Sequence, residues 1–114
     1  MTDDCIFCRI VSGVVSAERV HDGQSFIVIR DIEPQAPVHL LFISKRHVPS
    51  LREITPADHP MMAEMLAAIP QVATQLRISD GGYKVVINTG AHGGQTIPHL
   101  HLHLLGGAQL PSMF

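Results

Sequence analysis

Between Ile97 and Leu105, three histidines alternate with leucines, and this pattern leaves little choice of secondary structure. Successive side chains of a β-strand point to opposite faces, so the leucines share one face and the histidines the other. Neighbouring histidines then stand roughly 6.6 Å apart, which lets one touch a reacting atom while the next stabilises its charge. The segment predicts a half-buried strand with a reactive face. An edge strand whose solvent face is histidine is the alternative.

The residues just before this strand are rich in glycine. Gly90, Gly93 and Gly94 lie between Asn88 and Thr96. A backbone without Cβ can approach an anion closely, and phosphoryl transfer depends mainly on positioning and charge stabilisation. Such a loop alone is more often an ordinary hairpin connection. Directly before three strand histidines, it favours a phosphate site made by backbone amides from Gly93 to Thr96 and by the Asn88 amide.

The length of 114 residues predicts a single domain spanning 1–114. A formal net charge of −2 argues against a nucleic-acid partner. No apolar run approaches the roughly 20 residues of a membrane span, and no basic, apolar leader opens the chain. We therefore expect a cytoplasmic protein without a membrane partner.

Periodicity and turn residues predict five strands and two helices, an α+β fold with an antiparallel sheet. The second helix begins at Thr55 and Pro56, and Pro70 should kink or divide it. Its apolar residues recur at helical spacing at Met62, Met65, Leu66, Ile69, Val72, Ala73 and Leu76. The first helix is expected at about 4–11, capped by Thr2 or Asp3, and the strands at about 17–21, 25–30 around an Asp22-Gly23 turn, 38–44, 83–88 and the histidine segment.

Cys5 and Cys8 form a Cys-x-x-Cys pair, a spacing that suits zinc or a redox dithiol. The redox alternative needs a βαβ context, whereas this pair opens the chain and precedes a hairpin. Zinc needs two more ligands, and tetrahedral Cys₂His₂ sites are common.

Positions 99–105 match, without a gap, the motif His-x-His-x-His followed by two apolar residues, and here the sequence resembles the histidine-triad (HIT) family of nucleotide hydrolases and transferases. Residues 5–10, 31–37 and 45–47 look like the corresponding segments of its Hint branch, the purine nucleoside phosphoramidases. The resemblance covers nearly the whole chain. It implies a five-stranded antiparallel sheet, continued into ten strands across a homodimer.

The resemblance also implies a reaction, the cleavage of the P–N bond of a purine nucleoside 5′-phosphoramidate. His101 would be the nucleophile, forming a nucleotidyl-histidine intermediate that water hydrolyses. A neutral imidazole attacks through one nitrogen only if the other holds its proton against an acceptor, which a strand carbonyl can supply. His103 would donate to a phosphate oxygen, and Thr96 would contact the leaving atom.

Further residues are placed around the nucleotide by the same resemblance. They are Asn88, Gly94, Gln95 and Thr96 at the phosphate, Asp31 at the ribose, and Ile6, Phe7, Ile10, Ile29 and Ile32 around the purine. Each apolar residue is equally well explained as core. His39 would either support the triad by a hydrogen bond or be a satisfied core histidine.

Some bacterial Hint-like proteins carry structural zinc on such a cysteine pair, with a histidine after the third strand and the first histidine of the triad. The resemblance implies that these ligands are Cys5, Cys8, His47 and His99. Such a site would tie the first helix to the catalytic strand.

Two alternatives to a phosphoramidase stay open. Residues 95–98 look more like the Fhit branch, which cleaves dinucleoside polyphosphates, although residues 105–107 look like Hint. The cysteine pair and small size also fit a zinc-stabilised nucleotide-binding module with little catalysis. The tail from Ala108 to Phe114 departs from the Hint pattern, and a threonine replaces the usual serine at Thr96, which leaves the substrate range open.

Overall fold

A computed structural model of the chain describes residues 4–112. The elements within them are α1 (Ile6–Ser12), β1 (Arg19–Asp22), β2 (Phe26–Arg30), β3 (Val38–Ser44), α2 (His59–Gln75), β4 (Tyr83–Val86) and β5 (His101–Gly106). The five strands form one antiparallel sheet in the order β1-β2-β3-β5-β4. The predicted α+β class and five-stranded antiparallel sheet are confirmed.

The histidine strand β5 lies inside the sheet. His103 is opposite Leu41 of β3 on one side and Val86 of β4 on the other. Both backbone edges of β5 are therefore occupied, and the edge-strand alternative is wrong. An interior strand is held on both sides, so its side chains have little freedom to move.

The two faces of the sheet are covered differently. Leu102 and Leu104 belong to the core cluster that includes Met65 and Val72 of α2. On the other face, buried β2 and β3 residues pack against α1, among them Ile27, Ile29, Leu41 and Ile43 against Phe7, Cys8 and Ile10. His101 is opposite Ile43, and residues directly opposite share a face. The catalytic candidates thus lie on the α1 side.

Helix α1 begins two residues later than predicted. Cys5 is extended, with φ −87° and ψ 117°, and its Sγ accepts a hydrogen bond from the Cys8 backbone N–H at 3.4 Å. The cysteine side chain therefore caps the helix in place of an earlier residue. The proposed caps, Thr2 and Asp3, lie outside the described residues.

Helix α2 runs without a break through Pro70, so the prediction that this proline divides it is wrong. Pro70 is exposed, and Leu66, whose carbonyl loses its helical donor, is 51% exposed. Water can satisfy that carbonyl, which removes the main cost of a proline inside a helix. The buried face uses Met61 and Ala68 where the sequence predicted Met62 and Leu66.

No helix within residues 4–112 combines the length and apolar character needed to cross a membrane.

Candidate active site and metal cluster

His101, the middle histidine, is fixed by the backbone of its own chain. Its Nδ1 lies 2.7 Å from the carbonyl oxygen of His99. A carbonyl can only accept, so Nδ1 carries the proton and Nε2 keeps its lone pair. The ring is 7% exposed and meets Phe7 edge-on, with centroids 5.0 Å apart. This arrangement is that of a neutral, oriented nucleophile.

His103 is oriented by a chain of hydrogen bonds through His39. The Gln35 backbone N–H donates to His39 Nδ1 at 3.0 Å, which leaves the His39 proton on Nε2. That Nε2 donates to His103 Nδ1 at 2.9 Å. His103 therefore carries its proton on Nε2, where it can be donated to a ligand oxygen. His39 is both buried and hydrogen-bonded to His103. It is therefore at once a satisfied core histidine and a support for the triad, the two alternatives that the sequence left open.

Both rings are held in the neutral state. Burial lowers the pKa of His101, against the opposing effect of its bond to the His99 carbonyl. Burial, followed by the neighbouring His101 and His39, lowers the pKa of His103 to about 4. The ring centroids of His101 and His103 lie 5.1 Å apart. The lone pair of His101 and the N–H donor of His103 can therefore act on the same group of a bound substrate.

A second cluster brings Cys5, Cys8, His47 and His99 together, with one potential ligand atom of each within 4.8 Å of all the others. Cys5 Sγ lies 3.2 Å from His99 Nδ1, and Cys8 Sγ lies 3.2 Å from His47 Nδ1. Two sulfurs and two imidazole nitrogens form a donor set that zinc prefers.

The protonation of His99 fits a metal ligand. Its Nε2 donates to the Ser44 carbonyl at 2.7 Å, so the lone pair is on Nδ1, the atom that faces the cluster. The ring is fully buried, and burial lowers its pKa to about 4. Burial also raises the pKa of the Cys5 thiol, and a bound cation would reverse that shift. The residues therefore fit zinc.

His99 does not lie on β5, although the alternation in the sequence includes it. Its N–H donates to the Ile97 carbonyl at 2.8 Å, and the strand begins at His101. The turn directs the ring of His99 to the metal cluster, whereas the ring of His101 lies against Phe7 of α1. No sequence signal identifies the acceptors involved, the carbonyls of Ser44 and Ile97.

The glycine-rich loop is a closed turn rather than an open cradle. The amides of Gly93 and Gly94 donate to carbonyls within the loop at 3.2 and 3.1 Å, and the Asn88 side chain donates to the Gly93 carbonyl at 2.7 Å. A Cβ on Gly93 would stand 2.4 Å from the Thr89 carbonyl oxygen, so only glycine fits there. Thr96 is exposed beyond this turn.

Gln95, expected at the phosphate, fastens the loop to the rest of the chain. Its Nε2 donates to the carbonyls of Pro49 and Ile97 at 2.7 and 3.0 Å, and its Oε1 accepts from the Gly90 amide at 2.9 Å. These bonds engage the whole amide group. Gln95 thus fixes the backbone on which Thr96, the next residue, lies.

Asp31 lies beside the histidine network. Its Oδ2 is 3.4 Å from His39 Nε2, and its Oδ1 accepts from the Glu33 amide at 2.8 Å.

The five apolar residues predicted around the purine differ in how far they are buried. Phe7, Ile10 and Ile29 are core residues, whereas Ile6 is 37% and Ile32 is 93% exposed.

A surface cleft of about 390 Å³ lies beside the metal cluster. Cys5, His47 and Thr96 contribute to its wall, and its lining does not include His101 or His103.

The comparison with a protein-family model matches residues 4–113 to the family described as "Scavenger mRNA decapping enzyme C-term binding". A HIT-like protein of Chlamydia pneumoniae is 45% identical over 105 residues, which cover 92% of this chain and 94% of that protein. The purine nucleoside phosphoramidase of Escherichia coli K12 is 33% identical over 113 residues, with 99% and 95% covered.

Solved structures agree with these sequence matches. A histidine triad protein from Clostridium difficile superposes with a TM-score of 0.95 at 32% identity, covering 100% of this chain and 99% of that one. A zinc-bound histidine triad family protein from Mycobacterium smegmatis superposes with a TM-score of 0.77 at 34% identity, covering 90% and 74%.

Proposed function

The chain belongs to the histidine-triad family, and from that premise we propose that it is a purine nucleoside phosphoramidase. It hydrolyses the P–N bond of a nucleoside 5′-phosphoramidate to a nucleoside monophosphate and an amine. One observation carries the proposal: His101 Nδ1–H is bound to a backbone carbonyl at 2.7 Å, which leaves Nε2 free to attack. The similarity to the Escherichia coli phosphoramidase supports this choice of substrate.

The reaction takes two displacements at phosphorus. First, His101 Nε2 forms a bond to phosphorus while the P–N bond to the leaving amine breaks, and the amine nitrogen takes up a proton. Water then attacks phosphorus, the bond to His101 breaks, and the water gives up a proton as the monophosphate is released. Covalent catalysis of this kind divides one difficult displacement into two easier ones.

His103 and Thr96 stabilise the charge that develops on the phosphate. The His103 Nε2–H, directed by His39, donates to a non-bridging oxygen. Thr96 reaches the leaving nitrogen with its hydroxyl, and its added methyl restricts bulky amines. The side chains of Asn88 and Gln95 fasten the loop before Thr96, and Gly94 adopts the positive φ of 80° in that loop. The Asn88 amide has a second hydrogen for the substrate.

Asp31 accepts from the ribose hydroxyls, and the exposed Ile6 and Ile32 contact the purine. Ile32 is 93% exposed, so its side chain is accessible to a base. Phe7, Ile10 and Ile29 belong to the buried cluster on the α1 side of the sheet.

Zinc is proposed at Cys5, Cys8, His47 and His99, where it supplies a structural crosslink between the start of α1, the segment after β3 and the turn before β5. It takes no part in the chemistry at phosphorus. The zinc-bound relative from Mycobacterium smegmatis supports this assignment. A homodimer is proposed on the family premise, with β4, an outer strand of the described sheet, at the interface.

Replacing His101 with alanine tests the function. We expect the variant to lose at least about three orders of magnitude in kcat, because removing a nucleophile abolishes the covalent path. The exposed His59→Ala variant is the matched control and should keep wild-type turnover. Turnover of adenosine 5′-phosphoramidate is measured alongside mass spectrometry of a nucleotidyl adduct, and a folded His101→Ala variant with undiminished turnover contradicts the proposal.

The same assay separates the two alternatives. Faster turnover of diadenosine triphosphate than of adenosine 5′-phosphoramidate would indicate a dinucleoside polyphosphate hydrolase, as residues 95–98 suggest. Tight binding of AMP with no turnover of either compound would indicate a nucleotide-binding module.

A further inference from the structure

We propose that Arg52 determines leaving-group specificity, favouring phosphoramidates whose leaving amine carries a negative charge. The inference rests on the proposed function, since it concerns the group that leaves on P–N cleavage. It names a residue outside the histidine motif and the glycine-rich loop.

The local backbone directs Arg52 toward the loop. Ser50 caps a short 3₁₀ helix, Leu51–Glu53, by accepting from the Arg52 amide at 3.1 Å. The Arg52 side chain then extends over Gly90. A Cβ on Gly90 would stand 3.2 Å from Arg52 Nη1, and the glycine has φ 70°. Glycine at this position therefore leaves room for the guanidinium to lie on the loop.

Arg52 and Thr96 line one cleft of about 330 Å³, together with Gly90. Thr96 also borders the cleft of about 390 Å³ beside the metal cluster, and Pro49 and Pro98 line both. A leaving group that departs past Thr96 therefore has two clefts open to it, and one of them has a guanidinium in its wall.

Arg52 and Glu53 both line this cleft, so an anion would have to bind the side of the guanidinium that Glu53 does not occupy. Arg52 Nε donates to Glu53 Oε2 at 3.1 Å, and Glu53 Oε1 accepts from Ser50 Oγ at 2.5 Å. Within the described residues, the bond from Nε to Glu53 is the only hydrogen bond that the Arg52 guanidinium makes, so both Nη groups can bind a ligand. Glu53 orients the guanidinium and also weakens its field. A carboxylate or phosphate on the leaving group can accept from both Nη groups, a strong geometry for arginine.

Packing alone would also explain an arginine that covers a glycine. In that case Arg52 only supports the loop, and its removal affects all substrates equally. The two explanations differ in whether the effect depends on the charge of the leaving group.

The test compares the adenosine 5′-phosphoramidates of glycine and of glycinamide, which differ in the charge of one terminal group. Wild type should prefer the glycine conjugate. Arg52→Ala should lower kcat/KM for glycine by about tenfold, the size of one charge-assisted hydrogen bond, and leave glycinamide within about twofold. Glu53→Gln should raise kcat/KM for glycine, because it removes the competing carboxylate. Arg77→Ala, which removes the same charge at a cleft that contains neither Arg52 nor Thr96, should match wild type.

Equal effects of Arg52→Ala on both conjugates would overturn the inference and leave the proposed function intact. A wild-type preference for glycinamide would also overturn it. If wild type hydrolyses neither conjugate and forms no adduct, the proposed function fails, and the inference fails with it.

Discussion

Three histidines that look equivalent in the sequence have three different environments. The ring of His99 faces two cysteines, that of His101 is bound to a carbonyl, and that of His103 is bound to another histidine. The alternation predicts that His101 and His103 share a face. It does not predict the different position of His99, which depends on a turn at Ile97. Only the family resemblance predicts that His99 is a metal ligand.

The partners of buried polar groups were the least predictable part of the site. Gln95 contacts Pro49, a residue 46 positions earlier, and His39 contacts His103, 64 positions later. Nothing local in a sequence encodes such pairs, because they depend on how strands align. Residue type and spacing nevertheless identified which side chains carry chemistry.

The titration of His103 is a prediction at this scale. Its pKa is lowered to about 4, so the folded state binds fewer protons than the unfolded chain between pH 4 and about 6.5. Its contribution to stability is therefore present above pH 6.5 and is lost as the pH falls toward 4. NMR titration of the imidazole should give a midpoint below 5, and a midpoint near 6.5 would contradict it. A His103→Asn variant should lose less stability than wild type between pH 7 and pH 5.

Whole elements were predicted best where apolar and turn residues agree. The bounds of β3 match the prediction at both ends, and β2 differs by one residue. The start of α1 was missed because a cysteine side chain caps it, a role for which the sequence favours Ser, Thr, Asp or Asn. The end of β4 was missed by two residues, since Ile87 extends the apolar run and Asn88 follows it, but neither is paired in the sheet.

One carboxylate joins α2 to the β1–β2 hairpin. Glu64 accepts from the Gln24 amide at 2.8 Å, from the Ser25 amide at 3.3 Å and from the Ser25 hydroxyl. Glu64→Ala should lower the free energy of unfolding by about 1–2 kcal/mol, because these donors lose their partner. Urea denaturation measures the change. The exposed Gln71→Ala variant on the same helix is the control, and equal stability of Glu64→Ala and wild type would contradict the prediction.

At the scale of the molecule, β4 is an outer strand with apolar residues left exposed. Tyr83 and Val85 are 36% and 38% exposed. A partner that continues the sheet at β4 would cover them. Val85→Lys should convert a dimer into a monomer, measured by light scattering at micromolar concentration. Wild type that is itself a monomer under those conditions would contradict the proposed homodimer.

Metal removal is the second test at this scale. Protein purified without metal-affinity resin should contain about one zinc per chain, and chelation should lower Tm by at least about 4 °C, since about 1 kcal/mol shifts a domain of this size by that much. Chelation should not affect a Cys5→Ser/Cys8→Ser variant. If the protein contains well below half an equivalent of zinc and chelation leaves its Tm unchanged, Cys5 and Cys8 do not form a structural metal site.

His99 provides a ring to one centre and a carbonyl to the other, separated by its own few covalent bonds. A disturbance at either cysteine can therefore reach the His101 ring through one residue, His99. In a sample where only some chains are loaded, the molecules should divide into two kinetic populations, one fast and one slow, instead of slowing uniformly. The activity of each chain would then depend on whether that chain had bound its metal ion.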